Sequence, residues 1–153
     1  MDKIPHFTTS FIVDQSPEAA VSAICSPKDW WSGEHEGEPK AVGDIFVYRY
    51  QDLHHSTQKV SELVPGERVV WTVLDCQLNY LDDVKEWAGT SIAFDVRRKG
   101  SKTEVTFTHV GLAPEVECYD TCSTSWTRLI RGSLKEFIAT GRTELITLTA
   151  SAG

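Results

Sequence analysis

No stretch of this chain approaches the ~20 consecutive apolar residues that a membrane-spanning helix needs, so no membrane insertion is expected. Positive charge is also scarce. Lys and Arg number 15 against 22 Asp and Glu, a net charge of -7 at pH 7. Nucleic-acid binders need a basic face to release counterions, and anionic membranes attract the same kind of face, so neither partner is expected. The opening "MDKIPHFTTSFIVD" lacks a charged region followed by an apolar run and a small-residue cleavage site. No export signal is read there, and a cytoplasmic location is expected. No CxxC occurs. The four cysteines, Cys25, Cys76, Cys118 and Cys122, are unevenly spaced and are expected to be reduced and buried. HExxH, G-x-S-x-G, P-loop and dinucleotide fingerprints are all missing, which leaves no catalytic residue, metal or cofactor to assign.

What the chain does contain is patterning. Its 153 residues, 41% hydrophobic and 24% charged, suit one folded domain spanning 1–153 with a core at about 7–141. "FTTSFIVD" alternates, with Phe7, Thr9, Phe11 and Val13 on one face of a strand. "QSPEAAVSAIC" starts a helix with Ser16 as cap and Pro17 at the first position, and "SPKDWW" repeats the device with Ser26 and Pro27. Two short helices are therefore predicted, the second ending on Trp30 and Trp31. Five strand-like runs follow: "GDIFVYRYQ", "STQKVSELV", "ERVVWTVLD", "GTSIAFDVRRK" and "KTEVTFTHVGL". Two of their joints, "PGE" and "KGSK", are short enough for antiparallel hairpins. "CQLNYLDDVKEWAG" fits either a long loop or a twisted strand extension. "ECYDTCSTSWTRLIRGSLKEFIATG" predicts a long amphipathic helix that stops at Gly141, with Arg128, Arg131, Lys135 and Glu136 toward solvent. About six strands with helices on one face make an α+β domain.

Several of these stretches resemble a known family in order and spacing. The strand followed by "DQSPEAAVSAICSPKDWWSG" resembles the opening of the START-like (SRPBCC) superfamily, which includes birch-pollen-allergen-type ligand binders. "KVSELVPGERVVWT", "TEVTFTHVGL" and "SWTRLIRGSLKEFIATG" are similar to segments of one branch, the homologues of the activator of heat-shock-protein-ninety ATPase. Residues 7 to 141 are covered. Ser125 departs from the glycine often found before the tryptophan, and the acidic loop 34–38 has no counterpart. The resemblance implies a helix-grip fold, a curved antiparallel sheet wrapped around the long helix. It also implies a cavity between the two.

Strand alternation then selects the side chains facing that gap. Those singled out as ligand-binding are Trp31, Phe46, Tyr48, Tyr50, Trp71, Phe94, Phe107, His109, Trp126 and Ile130. Phe7, Phe11, Val13, Val69, Val73, Ile92, Val96, Val105, Leu129 and Phe137 share the surface. Such an aromatic wall with few polar groups suits a lipid or other apolar or amphipathic small molecule. It equally suits plain core, and the sequence does not decide whether the gap is open or filled. His109 is read as a ligand partner or general base on one side, and as a hydrogen-bonded core-edge histidine on the other. Cys118 and Cys122 lie one helical turn apart. They are read as small buried hydrophobes rather than zinc ligands completed by His35 or the His54–His55 pair. The expected function is non-catalytic ligand binding. The alternatives are a chaperone partner, as the resemblance implies, and a cyclase- or hydrolase-type enzyme.

Overall fold

The computed structural model describes residues 7–51, 53–79, 81–82, 84–112 and 118–141. Strand β1 (Phe7–Val13) alternates as predicted, burying Phe11 and Val13 and exposing Ile12. Helix α1 (Pro17–Ile24) begins where the capping signal puts it: the Ser16 hydroxyl accepts from the Ala19 amide at 3.1 Å, and Ala20, Val21 and Ile24 are buried. The second predicted helix is a correction. Pro27–Asp29 forms a single 3-10 turn, and Trp30 and Trp31 follow it rather than ending a helix. Ser26 does not cap that turn; its hydroxyl accepts from Lys40 Nζ at 3.0 Å instead. Both tryptophans are buried, so the chain leaves the helical path where each indole finds apolar cover.

Strands β2 (Glu34–Glu36), β3 (Ile45–Tyr50), β4 (His54–Val64), β5 (Arg68–Leu78), β6 (Ser91–Lys99) and β7 (Lys102–Val110) complete one antiparallel sheet. Its order is β1-β7-β6-β5-β4-β3-β2. The first strand closes on the last, from Phe7 opposite His109 to Val13 opposite Thr103. A seventh strand exceeds the about six expected because the acidic stretch, taken as a loop over 34–38, pairs along β3 with Glu34 opposite Arg49. Edge pairing engages only its backbone, so Glu34 and Glu36 stay in solvent while His35 turns partly inward. Register shifts at Thr57/Gln58 and Val60/Glu62 mark bulges in the β4–β5 pair. Each bulge bends the strand and sharpens its twist, which curves the sheet.

The long helix crosses the concave face in three stretches: α2 (Tyr119–Thr127), a π-helical segment (Arg128–Leu134) and α3 (Lys135–Thr140). Gly141 ends it in the left-handed region at φ 82°. The π segment explains a departure from the predicted stripe. Cys122, Trp126, Ile130, Leu134 and Ile138 are buried at strict four-residue steps, wider than the α-helical 3.6. The step carries Ile138 onto the buried face and leaves Phe137 only partly buried. Gln15 Nε2 donates to the Ala139 carbonyl at 3.1 Å, and the Thr103 hydroxyl donates to Gln15 O at 2.6 Å, tying the end of the helix to the sheet.

All four cysteines are buried as expected, but one pair is not reduced. Cys118 and Cys122 form a disulfide, while Cys25 and Cys76 are free and buried. One helical turn separates the pair by 5.4 Å between Cα atoms, within the range that a disulfide bridges. These two thiols are therefore not metal ligands, and no group of three or more His, Cys, Asp or Glu gathers among the described residues. No described helix is long and apolar enough to cross a membrane. The tail 142–153 and Asp83 lie outside the described residues.

Candidate ligand-binding interior

Strand alternation and the helix stripe bring nearly all the selected residues to one place. Trp31, Phe46, Tyr48, Trp71, Phe94, Phe107, His109, Trp126 and Ile130 are buried between the sheet and the helix. Tyr50 packs at the margin, only partly buried. Trp31 sits at the centre. Its ring stacks on Tyr48 with centroids 4.0 Å apart, lies 5.0 Å from Trp126 on the helix, and runs parallel to Trp71 within 3°. Trp30 stacks beside it at 6.1 Å and meets Phe94 edge-on. The adjacent tryptophans thus share one interior: Trp31 bridges sheet to helix, and Trp30 fills the layer behind it.

Trp71, Phe94, Phe107, His109 and Ile130 each show 0% exposure. A water-sized void beside any of them would register as exposed surface, so the gap around these groups is filled by the protein's own side chains. The loop before β2 is fitted just as tightly. Gly33 has φ 137°, and a Cβ there would lie 2.6 Å from the Tyr48 ring and 2.7 Å from Arg49 O. The Tyr48 hydroxyl donates to Ser32 O in the same loop. Gly33→Ala is expected to destabilise the fold by about 2 kcal/mol through backbone strain and displacement of Tyr48, as read by urea denaturation.

His109 is held on both sides. The Thr90 hydroxyl donates to Trp87 O at 2.7 Å, so it accepts from His109 Nε2 at 2.9 Å. Trp126 Nε1 donates to His109 Nδ1 at 3.1 Å. These partners assign the proton to Nε2. The Nδ1 lone pair is therefore engaged, and the arrangement matches the core-edge histidine better than a general base. Gly111, at φ 104°, keeps the β7 end clear of Thr90, whose Cγ2 would be 2.8 Å from an added Cβ.

The sequence reading passed over two contributors. Strand β4 turns His54, Ser56 and Gln58 inward. His54 Nε2 lies 3.2 Å from the Ser56 hydroxyl, and Gln58 Nε2 donates to the same oxygen at 3.0 Å. The signal was present in the alternation "HHSTQKV", whose buried face is polar and so does not stand out by hydrophobicity. Trp87 comes from the ambiguous segment after β5; it stacks on Trp126 and meets His54 and His109 edge-on. Burial, followed by the nearby His109 and His55, pushes His54 down to a pKa of about 3. Burial likewise lowers His35.

The interior is not fully satisfied. Trp30 Nε1, Trp71 Nε1, Trp87 Nε1, Gln58 Oε1 and Ser133 Oγ are buried without a hydrogen-bond partner. Each such group costs about 1–3 kcal/mol, and native cores keep few of them. Ser133 lies in the π-helical segment, a deformation frequent at functional sites.

A curved seven-stranded sheet gripping a long helix matches several solved structures. The Aha1 dimer from Colwellia psychrerythraea superposes with a TM-score of 0.73 at 24% identity, covering 92% of this chain and 100% of that one. The fold is a helix grip. DynU16, from the dynemicin biosynthetic locus, has the same helix-grip architecture (TM-score 0.68, 13% identity), covering 94% of this chain and 52% of DynU16. CalU16 from Micromonospora echinospora follows at 0.62 and 16%, covering 90% of this chain and 75% of CalU16. At these identities the helix-grip likeness speaks for the fold alone. No family model matches the chain, and no curated protein matches it in sequence.

Proposed function

We propose that this helix-grip domain binds a flat apolar or amphipathic small molecule bearing carbonyl or hydroxyl oxygens, between the sheet and the long helix, without catalysing its conversion. The observation that carries the reading is the set of orphaned interior donors: three tryptophan N–H groups buried without acceptors. A ligand oxygen satisfies such donors, and the near-parallel indoles favour a planar partner. Trp31 and Trp71 lie within 3° of parallel, and Trp87 and Trp126 within 14°. Because side chains close the space around Trp71, Phe94, Phe107 and Ile130, the ligand enters by displacing side chains or the helix, and the π-helical segment is where the helix already departs from regular geometry. Binding gains from apolar burial at ~25 cal/mol per Å². The proposed contacts are Trp31, Phe46, Tyr48, Tyr50, Trp71, Phe94, Phe107, Trp126 and Ile130, with His109 positioning Trp126.

Tryptophan fluorescence titrated with hydroxylated or keto polycyclic aromatics and with fatty acids tests this reading. Saturable quenching is expected from the flat, oxygen-bearing compounds. Trp71→Phe keeps a ring but removes a donor, and should weaken binding about tenfold, the worth of one hydrogen bond. Absence of saturation across both classes would remove the proposal.

The helix-grip likeness to Aha1, with the resemblance in sequence, favours a second reading: association with the heat-shock-protein-ninety ATPase. Acceleration of that chaperone's ATP turnover by the full chain would support it. Cytoplasmic residence remains part of the proposal, beside a Cys118–Cys122 disulfide that oxidising compartments favour. Thiol titration of protein trapped in cells distinguishes the two settings.

A further inference from the structure

The outer face of the sheet carries a second constellation. Register aligns Arg49 with His55 and His55 with Gln77 across β3, β4 and β5. Their neighbours Tyr48, Ser56 and Cys76 are buried, so alternation puts this row on the opposite, convex side of the sheet. Gln51 and Asn79 continue it past the strand ends, and His54 completes the lining of an open cleft of about 230 Å³. The wall is fixed by backbone bonds: Leu53 N donates to Tyr50 O at 3.1 Å, and Asn79 N to Leu53 O at 2.8 Å. At its rim Gln51 holds φ 52°, an uncommon conformation for a residue with a side chain.

The described lining is richer in donors than the rest of this acidic surface. On a chain of net charge -7, the described residues that line the cleft are an arginine, two histidines, two glutamines and an asparagine, with no carboxylate among them; Asp52, next to Gln51, lies outside the described residues. Arg49 takes part in no ion pair among the described residues. Glu34, its cross-strand neighbour on β2, stays beyond pairing distance. Asp75, two residues before Gln77 on the same face, is held by Lys85 at 3.1 Å. Gln77 Nε2 donates to Asn79 Oδ1 at 3.0 Å, so that carboxamide oxygen is already engaged. What remains is a cleft rich in donors around one guanidinium that has no ion-pair partner among the described residues.

We infer that this convex cleft binds a small oxyanion, a phosphate or carboxylate group held by Arg49 with His55 and Gln77 beside it. A planar guanidinium matches either group through two parallel N–H bonds. Arg49, His55 and Gln77 face away from the aromatic interior, and of the described lining His54 alone packs into it, so the site does not require that the interior takes a ligand.

NMR titration of the full chain with sodium phosphate and, separately, sodium acetate tests it, with sodium chloride holding the ionic strength constant. Saturable shifts are expected at the Arg49 Nε–H and at the side-chain amides of Gln77 and Asn79. Saturation with one salt alone identifies the group as phosphate or carboxylate; saturation with both identifies a general oxyanion site. Arg49→Gln should raise the dissociation constant about tenfold or more, the worth of a charge-assisted hydrogen bond. His55→Gln gives an independent comparison and should weaken binding in the same direction. Linear shifts with both salts, or identical constants in wild type and both variants, would overturn the inference.

Discussion

Trp31→Ala is expected to cost about 3–5 kcal/mol of folding stability, the range for removing a large buried aromatic side chain. That is a large share of the roughly 5–15 kcal/mol by which a domain of this kind is stable. The size follows from position. Trp31 contacts Tyr48, Trp71 and Trp126 at once, so its loss opens a void where sheet and helix meet and no single neighbour can collapse into it. Trp31→Phe retains a ring against Tyr48 and should recover part of the loss. Denaturation in urea, with a second probe confirming a single transition, gives the comparison. A cost near that of an exposed apolar residue such as Val42, which is 62% exposed, would mean the helix does not rest on this ring.

The second large effect is a loss of stability in mild acid. His54 has a pKa of about 3 in the folded protein, against about 6.5 for a histidine in an unfolded chain. Between those values the unfolded state binds a proton that the folded state refuses, so stability falls as pH falls. It is fully present above about pH 6.5 and declines by roughly 1.4 kcal/mol per pH unit below it. His35, lowered by burial, adds in the same direction. Asp14, Asp75 and Glu104 are lowered by their Lys and Arg partners, and their losses begin only in the carboxylate range. His54→Phe keeps a ring against Tyr48 and Trp87, and should flatten the profile between pH 6.5 and pH 4.5. An unchanged slope in that variant would show that another group carries the acid sensitivity.

Much of this arrangement is legible in the residues. The Ser16-Pro17 cap, the alternation of β1 and β7, and the Gly141 stop are local signals, and each sits where its chemistry requires. The aromatic side chains of β3, β5, β6 and β7 show their facing by period alone. Other features depend on partners distant in sequence. Ser26 gives up a cap to bond Lys40, which no local pattern reveals. The acidic stretch becomes a strand because β3 offers an edge, and its side chains record nothing of that pairing. The π segment was visible only as a four-residue spacing from Cys122 to Ile138, easily taken for ordinary helical drift. Trp87 lies in a segment with no periodicity at all, and its role arises from contact with His54, His109 and Trp126.

The account turns on whether the interior donors serve a ligand. Recording the indole N–H signals of Trp30, Trp71 and Trp87 during titration with a keto-substituted polycyclic aromatic answers this most directly. Saturable downfield shifts of at least two of the three, with broadening along Arg128–Leu134, are the result expected if ligand oxygens reach these groups. Signals that stay in place at saturating compound, while the Val42 amide moves as readily as any buried position, would show a closed core that binds nothing inside.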